Sequence, residues 1–184
     1  PCQDFSSAGK RDEGGGRANL TISFAETVRG LRPKYFIMEN VDRAQNTKTF
    51  ASALDIFRTA GYGLTVSVLD ASLCGVPQKR KRVVVVGILD GANNALIPAI
   101  QRNQSSKPMS VRNYLGEKLE IRYYYRHPRS YARRAVFSID EPSPTIRGVN
   151  RPVPQGYPGH PGDAVPVSSS IRPLTTKERS LIQT

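Results

Sequence analysis

Residues 83–89 read VVVVGIL, a nearly continuous β-branched run. Such a run is typical of a strand that is buried on both faces of a sheet. Two shorter apolar segments of strand length, residues 35–38 and 64–69, come before it, and helical patterns alternate with these strands. This alternation predicts an α/β layer architecture.

Two amphipathic helices are predicted around these strands. Residues 49–60 place three large apolar side chains on one helical face and end at Gly61, which is a common helix stop. The earlier helix is predicted from apolar residues that recur at helical spacing: Leu20, Phe24, Val28 and Leu31. We expect these four residues to form its apolar face.

The character of the chain changes after about residue 90. Residues 91–170 are rich in Pro, Asn, Ser and Arg, which predicts a small, irregular second domain. Thr175 and Glu178 then form a capping-box pattern, so a helix is expected to begin there. We therefore divide the chain into a main α/β domain at 1–92, a second domain at 93–170, and a helix at 171–184 that returns to the first domain.

The chain is strongly basic. Lys and Arg number 27 and Asp and Glu number 15, which gives a formal net charge of +12. Part of the excess is clustered: residues 79–82 are all Lys or Arg, and arginines alternate with tyrosines over residues 122–134. Positive charge beside rings that can stack favours a nucleic-acid partner over a charge that serves only solubility.

Two cysteines and two histidines offer neither a disulfide framework nor a metal-ligand spacing. We therefore expect no metal and a reducing, cytoplasmic setting. The sequence has no apolar run of membrane-spanning length, so no membrane association is expected. The first residue is Pro1 and not Met, so we expect the chain to be part of a longer polypeptide.

Three groups of residues could carry chemistry. Cys2 lies at the start of a polar, glycine-rich loop, Glu39-Asn40 ends an apolar strand, and Gln78-x-Arg80-x-Arg82 leads into the buried strand. Alternation would direct Gln78, Arg80 and Arg82 to one side and the two lysines to the other. Each group also has an ordinary structural interpretation: a buried thiol, a solvated strand-end charge, and basic residues that flank an apolar strand.

In combination, these groups resemble the cytosine-C5 DNA methyltransferase family. Pro1-Cys2-Gln3 resembles its nucleophile loop, Glu39-Asn40-Val41 its catalytic-acid motif, and Gln78-x-Arg80-x-Arg82 the motif that follows. Thr145-Ile146 resembles the Thr-Leu pair of the target-recognition region, and the segment from Arg172 to Gln183 resembles the motif after that region. The ordered set of five motifs is far more specific than any one of them.

The resemblance implies a fold and a mechanism. The fold is part of a Rossmann-like S-adenosylmethionine-dependent methyltransferase sheet with a small, irregular target-recognition domain. The Cys2 thiolate would add to C6 of cytosine, and Glu39 would donate a proton to N3. Arg80 and Arg82 would favour the thiolate and hold the target nucleotide.

The resemblance also implies double-stranded DNA as the partner, with the target cytosine flipped out of the stack. The residues expected to contact the DNA or to support the target base are Gln3, Ser6, Ser7, Asn40, Gln78, Arg133, Arg134 and Thr145. Of these, Asn40 is expected to brace the nucleophile loop, and Thr145 to position backbone near the flipped nucleotide.

S-adenosylmethionine is the implied methyl donor, but only Pro1 and Leu20 correspond to positions that contact it in the family. The glycine-rich turn and the acid that bind most of the cofactor precede the nucleophile loop in the family. We therefore expect this chain to need further segments of the same enzyme, or a second chain that complements it.

The leading interpretation is a nucleoid-associated, cytoplasmic enzyme of a bacterial restriction–modification system. A tRNA cytosine-C5 methyltransferase is a second possibility, although that branch carries Cys-Phe-Thr, whereas Gln3 follows Cys2 and Gly75 follows Cys74 here. A non-catalytic DNA-binding relic or subunit is a third. A non-catalytic relic would have no reason to keep all five of the family's catalytic and binding residues, yet this chain has Cys2, Glu39, Gln78, Arg80 and Arg82.

Overall fold

A computed structural model of the chain describes residues 19–168 and 170–183. These residues divide into two compact units, one formed by residues 19–69 and 81–104 and the other by residues 70–80 with the described residues from 105 onwards. The elements in chain order are α1 (Asn19–Leu31), β1 (Tyr35–Val41), α2 (Lys48–Thr59), β2 (Tyr62–Asp70), β3 (Gln78–Lys79), β4 (Lys81–Leu89), α3 (Ile97–Asn103), α4 (Val111–Leu115), β5 (Tyr123–Tyr125), β6 (Val136–Ser138), β7 (Ser143–Pro144) and α5 (Thr176–Gln183).

The first unit is built on a three-stranded sheet in which β4 lies between β1 and β2. β1 pairs antiparallel with β4, in a register that sets Tyr35 opposite Ile88 and Val41 opposite Arg82. The predicted buried strand is therefore the central one, as its β-branched sequence requires. The mixed α/β architecture that the sequence predicts is confirmed.

One face of this sheet packs against α1 and α2. The core contains Phe36, Phe57, Val83 and Val85, and the rings of Phe36 and Phe57 have their centroids 4.2 Å apart. α2 begins where Thr47 caps it, because the Thr47 hydroxyl accepts a hydrogen bond from the Phe50 amide at 3.2 Å. Its end at Gly61, which has a φ of 91°, agrees with the predicted stop.

The apolar face predicted for α1 is partly wrong. Leu20 and Leu31 are 50% and 77% exposed, whereas Thr21, Ala25 and Val28 are buried. The helix is turned so that the small Ala25 side chain faces the core, where it permits a close approach of α1 to α2. Leu20 and Leu31, near the two ends of α1, lie outside the buried face formed by Thr21, Ala25 and Val28.

The other face of the sheet is open at β1. Tyr35 and Ile37 are 58% and 68% exposed, and they alternate along the strand with the buried Phe36 and Met38. Within the described residues, β4 is the only strand paired with β1, so the outer edge of β1 is unpaired there. The sheet is thus only part of the layer that this type of fold builds, as the sequence predicts.

Gly87 is a packing requirement of this unit. A Cβ atom at Gly87 would lie 1.9 Å from Cε1 of Phe36, the residue opposite it on β1. The Phe36 ring is held by Phe57 and by Tyr62, whose centroid is 5.0 Å away, so it has no room to retreat. We expect Gly87→Ala to lower the free energy of unfolding by about 1–3 kcal/mol in a chemical-denaturation experiment.

Gly30→Ala is the matched control, because Gly30 lies in α1 and a Cβ atom added there would meet no other atom within 4 Å. Alanine at this position should leave the stability unchanged or raise it by up to about 1 kcal/mol. Equal stability of the Gly87→Ala protein and the parent chain would contradict the packing argument.

The second unit has short strands and an irregular chain. β5 pairs antiparallel with β6, and β3 pairs parallel with β7. One buried cluster includes Val111, Tyr124, Phe137 and Ile182, and a smaller one includes Tyr125 and Val136. Since Ile182 is fully buried in the first of these clusters, α5 packs within the second unit.

The loops of the second unit are held by two carboxylates. Asp163 accepts hydrogen bonds from the amides of Ala135, Val136 and His160 and from the Tyr157 hydroxyl. At α5, the Glu178 carboxylate accepts from the Thr175 amide at 2.6 Å, and the Thr175 hydroxyl accepts from the Glu178 amide at 3.2 Å. This is the predicted capping box, and it starts α5 at the predicted position.

The domain boundaries expected at 92 and 170 remain predictions, and the compact units group the segments as follows. Residues 70–80 belong to the second unit, and the first unit continues to residue 104. The 70–80 segment begins at the end of β2. It belongs to the second unit because its strand β3 pairs with β7 of that unit. No helix in the described part of the chain is long and apolar enough to cross a membrane.

Candidate active site

The nucleophile loop lies outside the described residues. Pro1, Cys2, Gln3, Ser6 and Ser7 all fall within residues 1–18, so their assignments remain predictions. The other assigned residues, from Leu20 to Thr145, are described, and they fall in both units.

Glu39 and Arg82 form an ion pair in the first unit. Arg82 Nε lies 2.7 Å from Glu39 Oε1, and the Glu39 side chain is 53% exposed. The antiparallel register explains the pair, because Glu39 lies opposite Val84 and therefore diagonal to Arg82 on the same face of the sheet. The catalytic-acid motif and the end of the arginine motif, 43 positions apart in the sequence, thus meet on the open face of the sheet.

Asn40 points to the opposite face of β1. It is buried, and its Oδ1 accepts a hydrogen bond from the Val41 amide at 2.8 Å. This position is suited to bracing the end of β1 and keeps the side chain apart from the open face that carries Glu39. The bracing of the nucleophile loop by Asn40 remains a prediction, because that loop lies outside the described residues.

The 70–80 segment is a closely hydrogen-bonded loop that carries Gln78 and Arg80. Asp70 Oδ1 accepts from the Ser72 amide and hydroxyl at 3.1 and 2.9 Å and from the Arg80 amide at 3.3 Å. The Arg80 carbonyl in turn accepts from the Ala71 amide at 3.0 Å. Asp70, which carried no signal in the sequence, therefore closes the loop and sets the backbone of Arg80.

The same segment is joined to the predicted target-recognition dipeptide. Gln78 is buried and pairs with Ser143, and the Thr145 hydroxyl donates to the Lys79 carbonyl at 3.2 Å. Residues 66 positions apart in the sequence are thus adjacent within the second unit. Thr145 positions the backbone that precedes Arg80.

The burial of the arginine motif follows the predicted alternation. Gln78, Arg80 and Arg82 are buried or half-buried, whereas Lys79 and Lys81 are exposed. The strand is nevertheless interrupted at Arg80, where β3 ends and β4 has not begun. The interruption follows from the hydrogen bonds of the Arg80 backbone to Asp70 and Ala71.

The two arginines assigned to DNA contacts differ in their surroundings. Arg133 is exposed. Arg134 makes a two-pronged ion pair with Glu141, and its guanidinium lies 4.3 Å from the centroid of the Phe137 ring. Arg134 is therefore engaged by contacts inside the second unit, and the DNA contacts expected of Arg133 and Arg134 remain predictions.

Three other arginines of this unit were not selected from the sequence. Arg126, Arg147 and Arg179 line one cleft of the second unit. Arg126 follows three tyrosines, and Arg147 directly follows the Thr145-Ile146 dipeptide, so both positions carried a signal in the sequence. Arg179 carried none, because it lies in α5 like any surface arginine of a helix.

The described residues provide little for a cofactor or a metal. Of the two assigned cofactor positions only Leu20 is described, and it presents one exposed apolar side chain on α1. A single apolar side chain does not form a binding site, so the described residues do not by themselves fit S-adenosylmethionine. The described part of the chain has no cluster of His, Cys, Asp and Glu that could hold a metal ion.

Comparison with known proteins places these motifs in a family. The profile of the family described as C-5 cytosine-specific DNA methylase matches residues 1–184. The chain is 56% identical over 185 aligned residues to the Type II methyltransferase M.HindV of Haemophilus influenzae, covering 100% of this chain and 61% of that protein. It is 58% identical over 184 residues to the Type II methyltransferase M.HgiDI of Herpetosiphon aurantiacus, with 100% and 59% covered.

A solved structure agrees at the level of the fold. The methyltransferase EhMeth of Entamoeba histolytica superposes with a TM-score of 0.50 at 21% identity, covering 65% of this chain and 38% of that one. The chain spans about three fifths of the length of the curated relatives described above. With its whole length matched by the family profile and its motifs in the family's order, the chain belongs to the C-5 cytosine-specific DNA methylase family.

Proposed function

We propose that this chain carries the catalytic residues of a DNA cytosine-C5 methyltransferase of a bacterial Type II restriction–modification system. The observation that carries the proposal is the ion pair of Glu39 with Arg82 on the open face of the sheet. A carboxyl group held by a guanidinium, and accessible from that face, is suited to a hydrogen bond with the edge of a pyrimidine ring.

The proposed chemistry begins with the addition of the Cys2 thiolate to C6 of a flipped cytosine. Addition moves electron density towards N3 and C5. The Glu39 carboxylate, paired with Arg82 in the free protein, takes up a proton when the target base is bound and donates it to N3. S-adenosylmethionine supplies the methyl group that C5 accepts. A base then removes the C5 proton, N3 returns its proton to Glu39, and elimination of Cys2 restores the aromatic ring and the free thiolate.

The other residues position the reactants in this proposal. Arg82 orients the Glu39 carboxylate through the ion pair, and Asn40 braces the end of β1. Asp70 and Thr145 hold the backbone of the loop that presents Gln78 and Arg80 to the target nucleotide. Gln3, Ser6, Ser7 and Arg133 are the proposed contacts to the DNA, and Pro1 and Leu20 are the proposed contacts to the methyl donor.

The test is a methyl-transfer assay with a chimeric enzyme, in which this chain replaces the matching segment of M.HindV. We expect labelled methyl groups to pass from S-adenosylmethionine to double-stranded DNA, and nucleoside analysis to identify 5-methylcytosine. The chain on its own should neither bind S-adenosylmethionine appreciably in calorimetry nor methylate DNA, because Leu20 and Pro1 are its only assigned contacts to the donor.

M.HindV itself is the positive control for the assay, and tRNA is the alternative substrate. Transfer to tRNA instead of DNA would favour the RNA-modifying branch of the family. Methyl groups found on the exocyclic N4 of cytosine would contradict the proposed attack at C6.

A further inference from the structure

The second unit contains a cleft of about 540 Å³ with an unusual balance of charge. Five arginines line it, namely Arg126, Arg129, Arg147, Arg151 and Arg179. No Asp or Glu from the described part of the chain is among its lining residues. We refer to this site as the arginine cleft.

The polar contacts of two cleft arginines are to neutral groups. Arg126 Nη2 donates to the Thr145 carbonyl at 2.9 Å. Arg179 Nη1 donates to the carbonyls of Arg147 and Gly148 at 2.9 and 3.2 Å. These bonds hold residues 145–148, but a carbonyl oxygen does not neutralise a guanidinium. The Nε atom of Arg179 is buried and has no hydrogen-bond partner among the described residues.

Several carboxylates of this unit are engaged elsewhere. Asp140 pairs with Arg112, Glu141 with Arg134, and Glu178 with Arg172. The Asp163 carboxylate is occupied by backbone amides and the Tyr157 hydroxyl. These carboxylates thus serve arginines and amides outside the cleft, and within the described residues they form no ion pair with Arg126, Arg147 or Arg179.

This convergence has an electrostatic cost. Burial, followed by the proximity of Arg147 and Arg129, lowers the pKa of Arg126 to about 10. Burial also lowers the pKa of Arg147, and the charges of Arg129 and Arg133 lower it further. Because arginine side chains in proteins stay protonated, an anion that entered the cleft would relieve the repulsion between these two charges.

DNA could offer two kinds of group to the cleft, and they differ in charge. The edge of a guanine accepts two hydrogen bonds from an arginine but is neutral. A phosphodiester accepts the same two-pronged hydrogen bonds and carries the negative charge that the described lining of the cleft does not supply. A site built from several half-buried cations without carboxylates is therefore better matched to a phosphate.

We propose that the arginine cleft binds a backbone phosphate of the DNA, with Arg126 and Arg147 as its principal ligands. This inference rests on the proposed function, because DNA is the polyanion that the enzyme would engage. A phosphate held there would set the position of the DNA relative to residues 145–148 without reading its sequence.

The experiment measures binding of the 184-residue chain to two short duplexes of unrelated sequence, by fluorescence anisotropy over a series of salt concentrations. For Arg147→Gln we expect weaker binding to both duplexes, with the slope of log K against log salt reduced by about 0.9, the value for one lost phosphate contact. Arg147→Lys should recover most of the slope, because it restores the charge.

Lys107→Gln is the matched control. It removes the same charge from an exposed position of the same unit that does not line the arginine cleft. We expect its slope to equal that of the parent chain, and circular dichroism establishes that each variant is folded.

Two results would overturn the inference: an unchanged slope for Arg147→Gln, or a loss of affinity confined to one of the two duplexes, which would indicate a contact with a base. The methyl-transfer assay separates this inference from the proposed function. An altered slope in a protein whose chimera transfers no methyl group would retain the phosphate site and reject the methyltransferase assignment. Methyl transfer by the chimera, together with an unaltered salt slope for Arg147→Gln, would retain the methyltransferase assignment and reject the phosphate site.

Discussion

Replacing Cys2 by serine is expected to abolish the covalent complex that the chimeric enzyme forms with DNA containing 5-fluorocytosine. Fluorine at C5 cannot leave as a proton does, so the thioether to C6 persists after methyl transfer and is visible as a band that resists denaturation. A serine hydroxyl is almost entirely protonated at neutral pH and is a far weaker nucleophile than a thiolate. Turnover on ordinary DNA should fall below detection.

Cys74 provides the matched control, since it is the only other cysteine of the chain. It is exposed at the end of a short 3-10 turn, and its amide donates to the Ala71 carbonyl at 3.0 Å. Because serine preserves that backbone contact, Cys74→Ser should form the complex at the parental rate. A covalent complex that survived in Cys2→Ser protein would contradict the assignment of the nucleophile.

Replacing Glu39 by glutamine is expected to lower turnover by about two to four orders of magnitude, the range for loss of a general acid. Glutamine keeps a carbonyl oxygen that can accept from Arg82 Nε, so the geometry of the pair is largely retained. It has no acidic proton to donate to N3. The measurement is the single-turnover rate of methyl transfer, with the affinity for DNA followed separately and expected to change little.

Glu26→Gln is the control for the loss of one carboxylate. Glu26 pairs with Arg29 on the surface of α1, a type of contact that contributes little to stability. Its substitution should leave the rate unchanged. Near-parental single-turnover rates for Glu39→Gln would remove Glu39 from the mechanism, whereas a parallel loss of DNA affinity would indicate a binding role.

Several elements could be predicted from the sequence because their causes are local. The β-branched run at residues 83–89 predicted a buried strand, and β4 is the central strand of its sheet. Phe50, Phe57 and Gly61 predicted α2 and its end, and Thr175 with Glu178 predicted the start of α5. In each case side-chain periodicity or a hydrogen bond over three residues decides the outcome.

The orientation of α1 needed the tertiary structure. Periodicity alone favoured Leu20 and Leu31 for the buried face, because both are large and apolar. The buried residues are Thr21, Ala25 and Val28, and Phe24 packs edge-on against core aromatic rings. A helical pattern shows which residues share a face but not which face a neighbouring helix selects.

The sequence by itself determined the family motifs, their order and the residues proposed for catalysis, because these depend on residue types at fixed spacings. Only the tertiary structure decided which charges neutralise one another. Arg134 and Arg147 look alike in a basic, tyrosine-rich sequence, yet Arg134 is neutralised by Glu141 and Arg147 lies in a cleft whose described lining includes no carboxylate. The distinction depends on Coulomb interactions between groups that the chain brings together from distant positions, and these fall off with distance in space rather than along the sequence.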